Sequence, residues 1–167
     1  GRAIYDNSGT VALSASATQY LQTVGDATYP GLYAVGSGTN IPLVLQPKGT
    51  GALQAQKTDS TATGGNARGA NAVDWQTSRS NANQVASGTG SVLCGGVSNR
   101  TSGYNATLVG GTLNLSGNNY TTVVGGSSNS AGTLDWATIV GGNANTASGY
   151  YNFIGGGYTN SGTSGSA

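Results

Sequence analysis

A short motif that ends in a glycine pair recurs five times in the second half of the chain, and its period constrains the fold more than any other feature. Two apolar residues precede each pair, an Asn follows at a nearly constant distance, and a small residue followed by glycine comes next. The first glycines lie 15, 15, 16 and 14 residues apart, and weaker copies precede them at Gly64 and Gly65 and around Arg79 and Ser80. A period near 15 residues is too short for the helix-containing repeats and suits one turn of a β-solenoid. The five pairs begin at Gly95, Gly110, Gly125, Gly141 and Gly155.

The composition agrees with an elongated repeat. Glycine supplies 30 of the 167 residues, and charged residues supply 7%, against about 25% in ordinary globular domains. Such a composition fits either a disordered segment or a repeat with small residues in tight turns, and the internal period favours the repeat. We expect the glycine pairs and the Asn residues to supply positive φ at the corners, and Val, Ile and Thr to form the strands. Residues 61–167 are therefore predicted to form an all-β parallel β-roll or β-solenoid with coils of about 15 residues.

Both residues before each glycine pair are apolar, so both faces of the predicted strand need cover, because successive strand side chains point to opposite faces. One set is expected to fill the coil interior, and the other needs a second surface, most simply copies of the same chain around a three-fold axis. We therefore predict a homotrimer, although the pattern alone leaves a dimer open. The predicted interior set is Leu93, Leu108, Val123, Ile139 and Phe153. The predicted interface set is Cys94, Val109, Val124, Val140 and Ile154.

Residues 1–60 lack the 15-residue unit. Short β-like runs separated by turn signals predict a small β module there, suited to a collar or a joint in a shaft. A stretch without large apolar residues, 57–63, marks the predicted boundary. The runs are residues 10–13, 20–24, 32–35, 43–45 and 52–55.

Aromatic residues stand five or six positions before successive glycine pairs, and stacked coils would align them in a column. Their flat, amphipathic faces suit the apolar face of a sugar, and Asp74 and Asp135, each beside a Trp, are candidates to accept hydrogen bonds from its hydroxyls. The alternative interpretation is that the rings stack on one another and shield a corner or a subunit contact. Gly90 interrupts the series. The candidate residues are Trp75, Tyr104, Tyr120, Trp136, and Tyr150 beside Tyr151.

The residues give little support to catalysis. The chain has no His, which rules out a His-based triad. Cleavage of a polysaccharide by two carboxylates needs them about 5–9.5 Å apart, whereas Asp74 and Asp135 are four coils, or about 19 Å, apart. Asp59 and Asp74 are one coil apart and remain the possible pair. We expect no catalytic residues and no enzymatic activity.

The charge pattern indicates no electrostatic partner. The net charge is +1, and Arg68, Arg79 and Arg100 are scattered, whereas nucleic-acid binding uses clustered basic residues. No apolar run approaches the roughly 18 residues of a membrane span. Cys94 is the only cysteine. We expect no nucleic-acid partner, no membrane insertion, no metal site and no cofactor.

The unit apolar-apolar-Gly-Gly-x-x-Asn-x-x-Ser-Gly, repeated over residues 62–162, resembles the head repeats of trimeric autotransporter adhesins (YadA-like). It resembles even more the versions found in phage tail fibres, and residues 41–51 and 63–75 are similar to segments common in tail-fibre proteins. The second coil departs from the pattern, because Arg79 and Ser80 stand where the glycine pair is expected, and no C-terminal tip is recognisable. The chain also lacks an initiating Met, so we expect a piece of a longer protein.

The resemblance implies a trimer of left-handed parallel β-rolls in the virion tail that attaches the phage to its host. The partner would be a bacterial surface polysaccharide or lipopolysaccharide. Three other interpretations stay open: a structural shaft with recognition elsewhere, a trimeric adhesin head on the bacterial surface, and, less favoured, a tailspike that depolymerises polysaccharide.

Overall fold

The structure is a computed structural model that describes residues 45–163. In this range the chain contains short parallel β-strands and no helix. The predicted runs at residues 10–13, 20–24 and 32–35, and nearly all of the run at 43–45, lie outside the described residues. The strands are β1 (Leu53–Gln54), β2 (Val73–Asp74), β3 (Val92–Leu93), β4 (Arg100–Thr101), β5 (Thr107–Leu108), β6 (Leu115–Ser116), β7 (Thr122–Val123), β8 (Ser130–Ala131), β9 (Thr138–Ile139), β10 (Thr146–Ala147), β11 (Phe153–Ile154) and β12 (Ser161–Gly162).

The strands form two parallel sheets along the axis of a β-solenoid. The seven-stranded sheet has the order β1-β2-β3-β5-β7-β9-β11, and the five-stranded sheet has the order β12-β10-β8-β6-β4. A third column consists of single β-bridges that connect Ser78 successively to Val97, Thr112, Ser127, Asn143 and Tyr158. Each regular coil thus contributes one strand to each sheet and one residue to the bridge column, which confirms the predicted solenoid.

The interior is narrow, and one aliphatic side chain per coil fills most of it. Leu93, Leu108, Val123 and Ile139 are completely buried, which confirms their predicted place. Small residues of the five-stranded sheet form the opposite wall, so the two sheets approach closely. These buried residues are Thr101, Ser116, Ala131 and Ala147.

The last coil corrects the sequence interpretation by one residue. β11 pairs with β9 so that Ile154 lies beside Ile139; Ile154 is 8% exposed, whereas Phe153 is 58% exposed. The predicted interior place of Phe153 and the predicted interface place of Ile154 were therefore wrong. Three consecutive glycines caused the error, because Gly156 and Gly157 occupy the places of the glycine pair. A slip of one residue moves every strand side chain to the opposite face.

The Asn of each repeat is a hydrogen-bonding group, buried in the first four repeats and exposed in the last, and it does not supply positive φ, contrary to the prediction. Asn129 donates from Nδ2 to the carbonyl oxygens of Gly125 (2.9 Å) and Gly142 (3.0 Å). Its Oδ1 accepts the backbone N–H of Asn145 at 3.0 Å. The residue before each Asn has the positive φ instead, between 53° and 57°. These residues are Ser98, Leu113, Ser128, Ala144 and Thr159.

The second glycine of a pair is required by both backbone angle and space. Gly126 has a φ of 83°, and a Cβ there would overlap the carbonyl oxygen of Gly142 in the next coil. Gly125, by contrast, has open space around the position of a Cβ. The close stacking of coils therefore depends on the second glycine.

The first two coils are longer and have a polar interior. Asp74 pairs in register with Leu93 and is completely buried. It forms an ion pair with Arg68 (Nε to Oδ2, 2.8 Å), and Nη2 of Arg79 lies 4.0 Å from the same oxygen. Gln76 continues the Asn series in this coil, because its Oε1 accepts the N–H of Asn99 at 2.8 Å.

The seven-stranded sheet extends into the segment that was predicted to be a separate module. β1, within residues 1–60, pairs with β2 in parallel, so the described part of that segment contributes to the solenoid. The second coil is not centred on Arg79 and Ser80 as predicted, since its strand is β2 and Arg79 is buried against it.

Candidate functional site

An aromatic column runs along the turn that leads into the seven-stranded sheet. The ring centroids of Tyr104 and Tyr120 are 5.7 Å apart with an interplanar angle of 79°. Tyr120 and Trp136 stack at 5.8 Å and 2°, and Trp136 and Tyr151 stack at 5.0 Å and 10°. Tyr150 lies beside them, 6.3 Å from Trp136. We call these five residues the aromatic column; the structure brings them together as the sequence predicted.

Three residues of the column are held in an unusual backbone conformation. Tyr120, Trp136 and Tyr151 have φ angles of 56°, 59° and 54°. Gly90 and Asn105 occupy the equivalent place in the two preceding coils, with φ angles of 66° and 50°. Gly and Asn adopt this conformation readily, whereas a bulky side chain there costs on the order of 1–3 kcal/mol. The backbone therefore gives no reason for an aromatic residue here, and the reason lies in the side chain.

The rings are both stacked and open to solvent. The five side chains are between 43% and 65% exposed. Parallel rings in contact lie about 3.5–4.0 Å apart, so centroid distances of 5.0 and 5.8 Å imply a sideways displacement of roughly 3–4.5 Å. Part of each face is therefore left uncovered by its neighbour. The two interpretations of the column, mutual stacking and an accessible surface, are compatible.

The residues immediately before Tyr120 and Trp136 in the chain are polar, and they are connected to the column by hydrogen bonds. Asn119 Oδ1 accepts the N–H of Tyr104 at 3.0 Å. Asp135 Oδ1 in turn accepts the N–H of Asn119 at 3.1 Å, and its Oδ2 accepts Asn119 Nδ2 at 3.4 Å. A carboxylate has about four acceptor positions, so Asp135 keeps capacity for a ligand hydroxyl beside Trp136. Its predicted position next to the aromatic surface agrees with the structure.

Trp75 and Asp74 do not belong to this site, contrary to the prediction. Trp75 lies in register with Cys94: Trp75 N–H donates to the carbonyl oxygen of Leu93, as Cys94 N–H donates to that of Leu108. Asp74 is buried and ion-paired inside the coil. Their positions had been predicted from the distance to the expected glycine pair, which this coil lacks. The alignment of Val73 with Val92 would have given the correct register.

A second surface lies on the outward face of the seven-stranded sheet. Four of the five predicted interface residues and Trp75 are exposed there and follow one another from coil to coil. Gly155 ends the column, and the ring of Phe153 leans toward it, 3.6 Å from where its Cβ would be. We call this stripe the outer column; its members are Trp75, Cys94, Val109, Val124 and Val140.

The acidic residues of the described part of the chain are not assembled as a catalytic pair. Asp59 is exposed, and hydrogen bonds from the backbone and side chain of Thr61, with the N–H of Gly64 and the charge of Arg79, hold its pKa below the usual range. Asp74 is enclosed in the coil, where burial lowers the pKa of the neighbouring Arg79 despite the attraction of the carboxylate. The possible pair of Asp59 and Asp74 therefore does not share a solvent-facing surface.

Residues 45–163 offer no other site of recognisable chemistry. They contain no group of three or more metal-ligating side chains and no helix long and apolar enough to cross a membrane. A cavity lined by Phe153, Ile154, Gly156 and Asn160 lies between β11 and β12, the last strands of the two sheets. No protein-family model, curated protein or solved structure matches this chain.

Proposed function

We propose that this chain is part of a trimeric phage tail fibre that attaches to a glycan on the bacterial surface through the aromatic column. The observation that carries the proposal is the conformation of Tyr120, Trp136 and Tyr151. Three successive coils place an aromatic residue, in a backbone conformation that suits Gly or Asn, at the same solvent-exposed edge. Positive φ also recurs before the Asn of each repeat, but only at this edge do aromatic residues adopt it in successive coils, and backbone strain of this kind is concentrated at functional surfaces.

The chemistry of the column fits a sugar. Aromatic rings offer flat apolar area with little side-chain entropy to lose, and the hydroxyl of Tyr supplies a polar edge. Asn119 and Asp135 place acceptors beside the rings. One ring per coil, at a coil spacing of about 4.8 Å, gives several equivalent contacts along an extended polysaccharide. The proposed binding requires no catalytic group, and we propose that the protein is not an enzyme.

The outer column supports the trimer. Val109, Val124 and Val140 are each more than 40% exposed in the single chain, on a domain whose own interior is one aliphatic side chain wide. Two further copies would cover this stripe and place three aromatic columns around one axis. Since each contact with a glycan is weak, simultaneous binding by three columns would supply much of the affinity. The resulting rod would belong to the extracellular tail of a virion, or to a bacterial cell surface if it is an adhesin head.

A structural shaft is the second candidate function, and the stacking within the column favours it. Tyr120 and Trp136 lie nearly parallel, at 2°, as they would if the rings only reinforced the edge of the rod. In that case recognition would depend on another part of the fibre, and the aromatic column would stabilise the coils without contacting a receptor.

The proposal is tested by sizing the purified protein by light scattering and measuring how it labels whole bacterial cells of a strain panel. We expect a trimer that labels particular strains, and loss of labelling with Trp136→Ala. Tyr158→Ala is the matched control, because Tyr158 is 73% exposed in the bridge column, away from the aromatic column. A trimer that labels no strain would favour the shaft, and equal labelling by Trp136→Ala would refute the aromatic column as the binding site.

A further inference from the structure

The regular coils are almost without charge. Residues 88–163 contain two charged side chains, Arg100 and Asp135. Arg100 is exposed on β4, two strands from β8, which precedes Asp135; this separation is about 10 Å along the axis. The charged residue that neighbours the aromatic column in this part of the chain, Asp135 beside Trp136, is thus negative.

The charge of Asp135 is not compensated within the described residues. Its two carboxylate oxygens accept hydrogen bonds from the backbone and side chain of Asn119. The ion pairs of this part of the chain involve Asp74, and none involves Asp135. A partly exposed carboxylate that no cation of the described residues pairs with therefore lies next in the chain to Trp136.

We infer that Asp135 makes the aromatic column selective for uncharged glycans and against glycans that carry carboxylates. The inference rests on the proposed function and specifies its ligand class. The rings and the side-chain amide of Asn119 do not distinguish a neutral sugar from a charged one. Asp135 does, because its carboxylate repels a uronic or sialic acid that lies at the same position.

The expected discrimination follows from Coulomb's law. In water, the repulsion between two like charges about 4 Å apart lowers the affinity about fivefold relative to the same contact with a neutral group. Physiological salt screens charges over about 8 Å, so the effect persists at contact and weakens further in high salt. Three columns acting together would multiply the preference.

The test compares neutral polysaccharides with the same polymers after their primary hydroxyl groups have been oxidised to carboxylates. Glucan, galactan, mannan and the polysaccharide released from labelled cells serve as probes, and binding of the assembled protein is measured at low and high salt. We expect at least fivefold weaker binding after oxidation at low salt and a smaller loss at high salt. Asp135→Asn keeps an oxygen acceptor for Asn119 and is expected to raise the affinity for the oxidised polymer about fivefold. Arg100→Gln, which removes the other charge of the regular coils, is the matched control and should not raise it.

The outcomes separate this inference from the proposed function. Equal or tighter binding of the oxidised polymers, or a preference that Asp135→Asn leaves unchanged, would overturn the role of Asp135 while glycan binding stands. Failure to bind any neutral or oxidised polymer, including the polysaccharide from labelled cells, would overturn glycan binding itself and the inference with it.

Discussion

Replacing Asn129 by Ala would remove the side-chain hydrogen bonds that connect the glycine corners of two successive coils. The backbone N–H of Asn145 loses its acceptor inside the coil, which costs about 1–3 kcal/mol for an unsatisfied buried group. The bonds from Nδ2 to Gly125 and Gly142 are also lost, at about 1 kcal/mol each. We therefore expect the free energy of unfolding to fall by about 4 kcal/mol.

The assay is urea unfolding of the wild-type and variant proteins, followed by circular dichroism, together with hydrogen exchange of the Asn145 N–H. With an m-value of about 2 kcal/mol/M, the loss corresponds to a midpoint lower by about 2 M. Asn143→Ala is the matched control, because Asn143 is an exposed residue of the bridge column, and surface changes of this kind cost within about 0.5 kcal/mol. If Asn129→Ala unfolded at the same urea concentration as Asn143→Ala, the buried Asn ladder would not hold the coils together.

Three further predictions concern the same coils. Gly126→Ala should lower the free energy of unfolding by at least about 2 kcal/mol, because the new Cβ adds backbone strain and overlaps the next coil. Gly125→Ala, which has open space around its Cβ, should unfold in urea almost as the wild type does, and equal urea midpoints for the two variants would refute the requirement for glycine. Val124→Asp should abolish the proposed trimer, with light scattering as the assay, whereas Val97→Asp, an equally exposed position outside the outer column, should leave the oligomeric state of the wild type unchanged; a trimeric Val124→Asp protein would show that the interface lies elsewhere. Asp74→Ala leaves two guanidinium groups without their buried counter-ion and should cost about 3–5 kcal/mol in urea unfolding, and a wild-type midpoint would show that the ion pair is dispensable.

The sequence predicts the regular coils well because their signal is local and repeated. Leu108 and Val123 each precede a residue that is exposed next to a glycine pair, and both are buried as expected. The interior of the last coil could not be read in the same way, since three consecutive glycines leave two possible registers. Pairing with β9 selects the register that buries Ile154.

The candidate site was likewise predicted correctly in the regular coils and wrongly in an irregular one. Tyr120 and Trp136 were found because they lie at fixed distances from glycine pairs in regular coils. Trp75 and Asp74 were misplaced because their coil has an interior of charged and amide groups, and its length departs from the period. The strained φ of the column could not be predicted from spacing, although Gly90 at the equivalent place in an earlier coil indicates a corner that suits glycine.

The most direct test of glycan binding by the aromatic column uses the two tryptophans of the chain, since Trp136 lies in the column and Trp75 lies outside it. Trp75→Phe leaves Trp136 as the only fluorescent indole, and Trp136→Phe leaves Trp75. Each protein is titrated with polysaccharide released from a labelled strain, and binding is measured independently by co-sedimentation. We predict a saturable shift in the fluorescence of Trp136 at the same polysaccharide concentrations that cause co-sedimentation, with no shift from Trp75. Co-sedimentation without any change at Trp136, or with a change at Trp75 alone, would contradict the aromatic column as the binding surface.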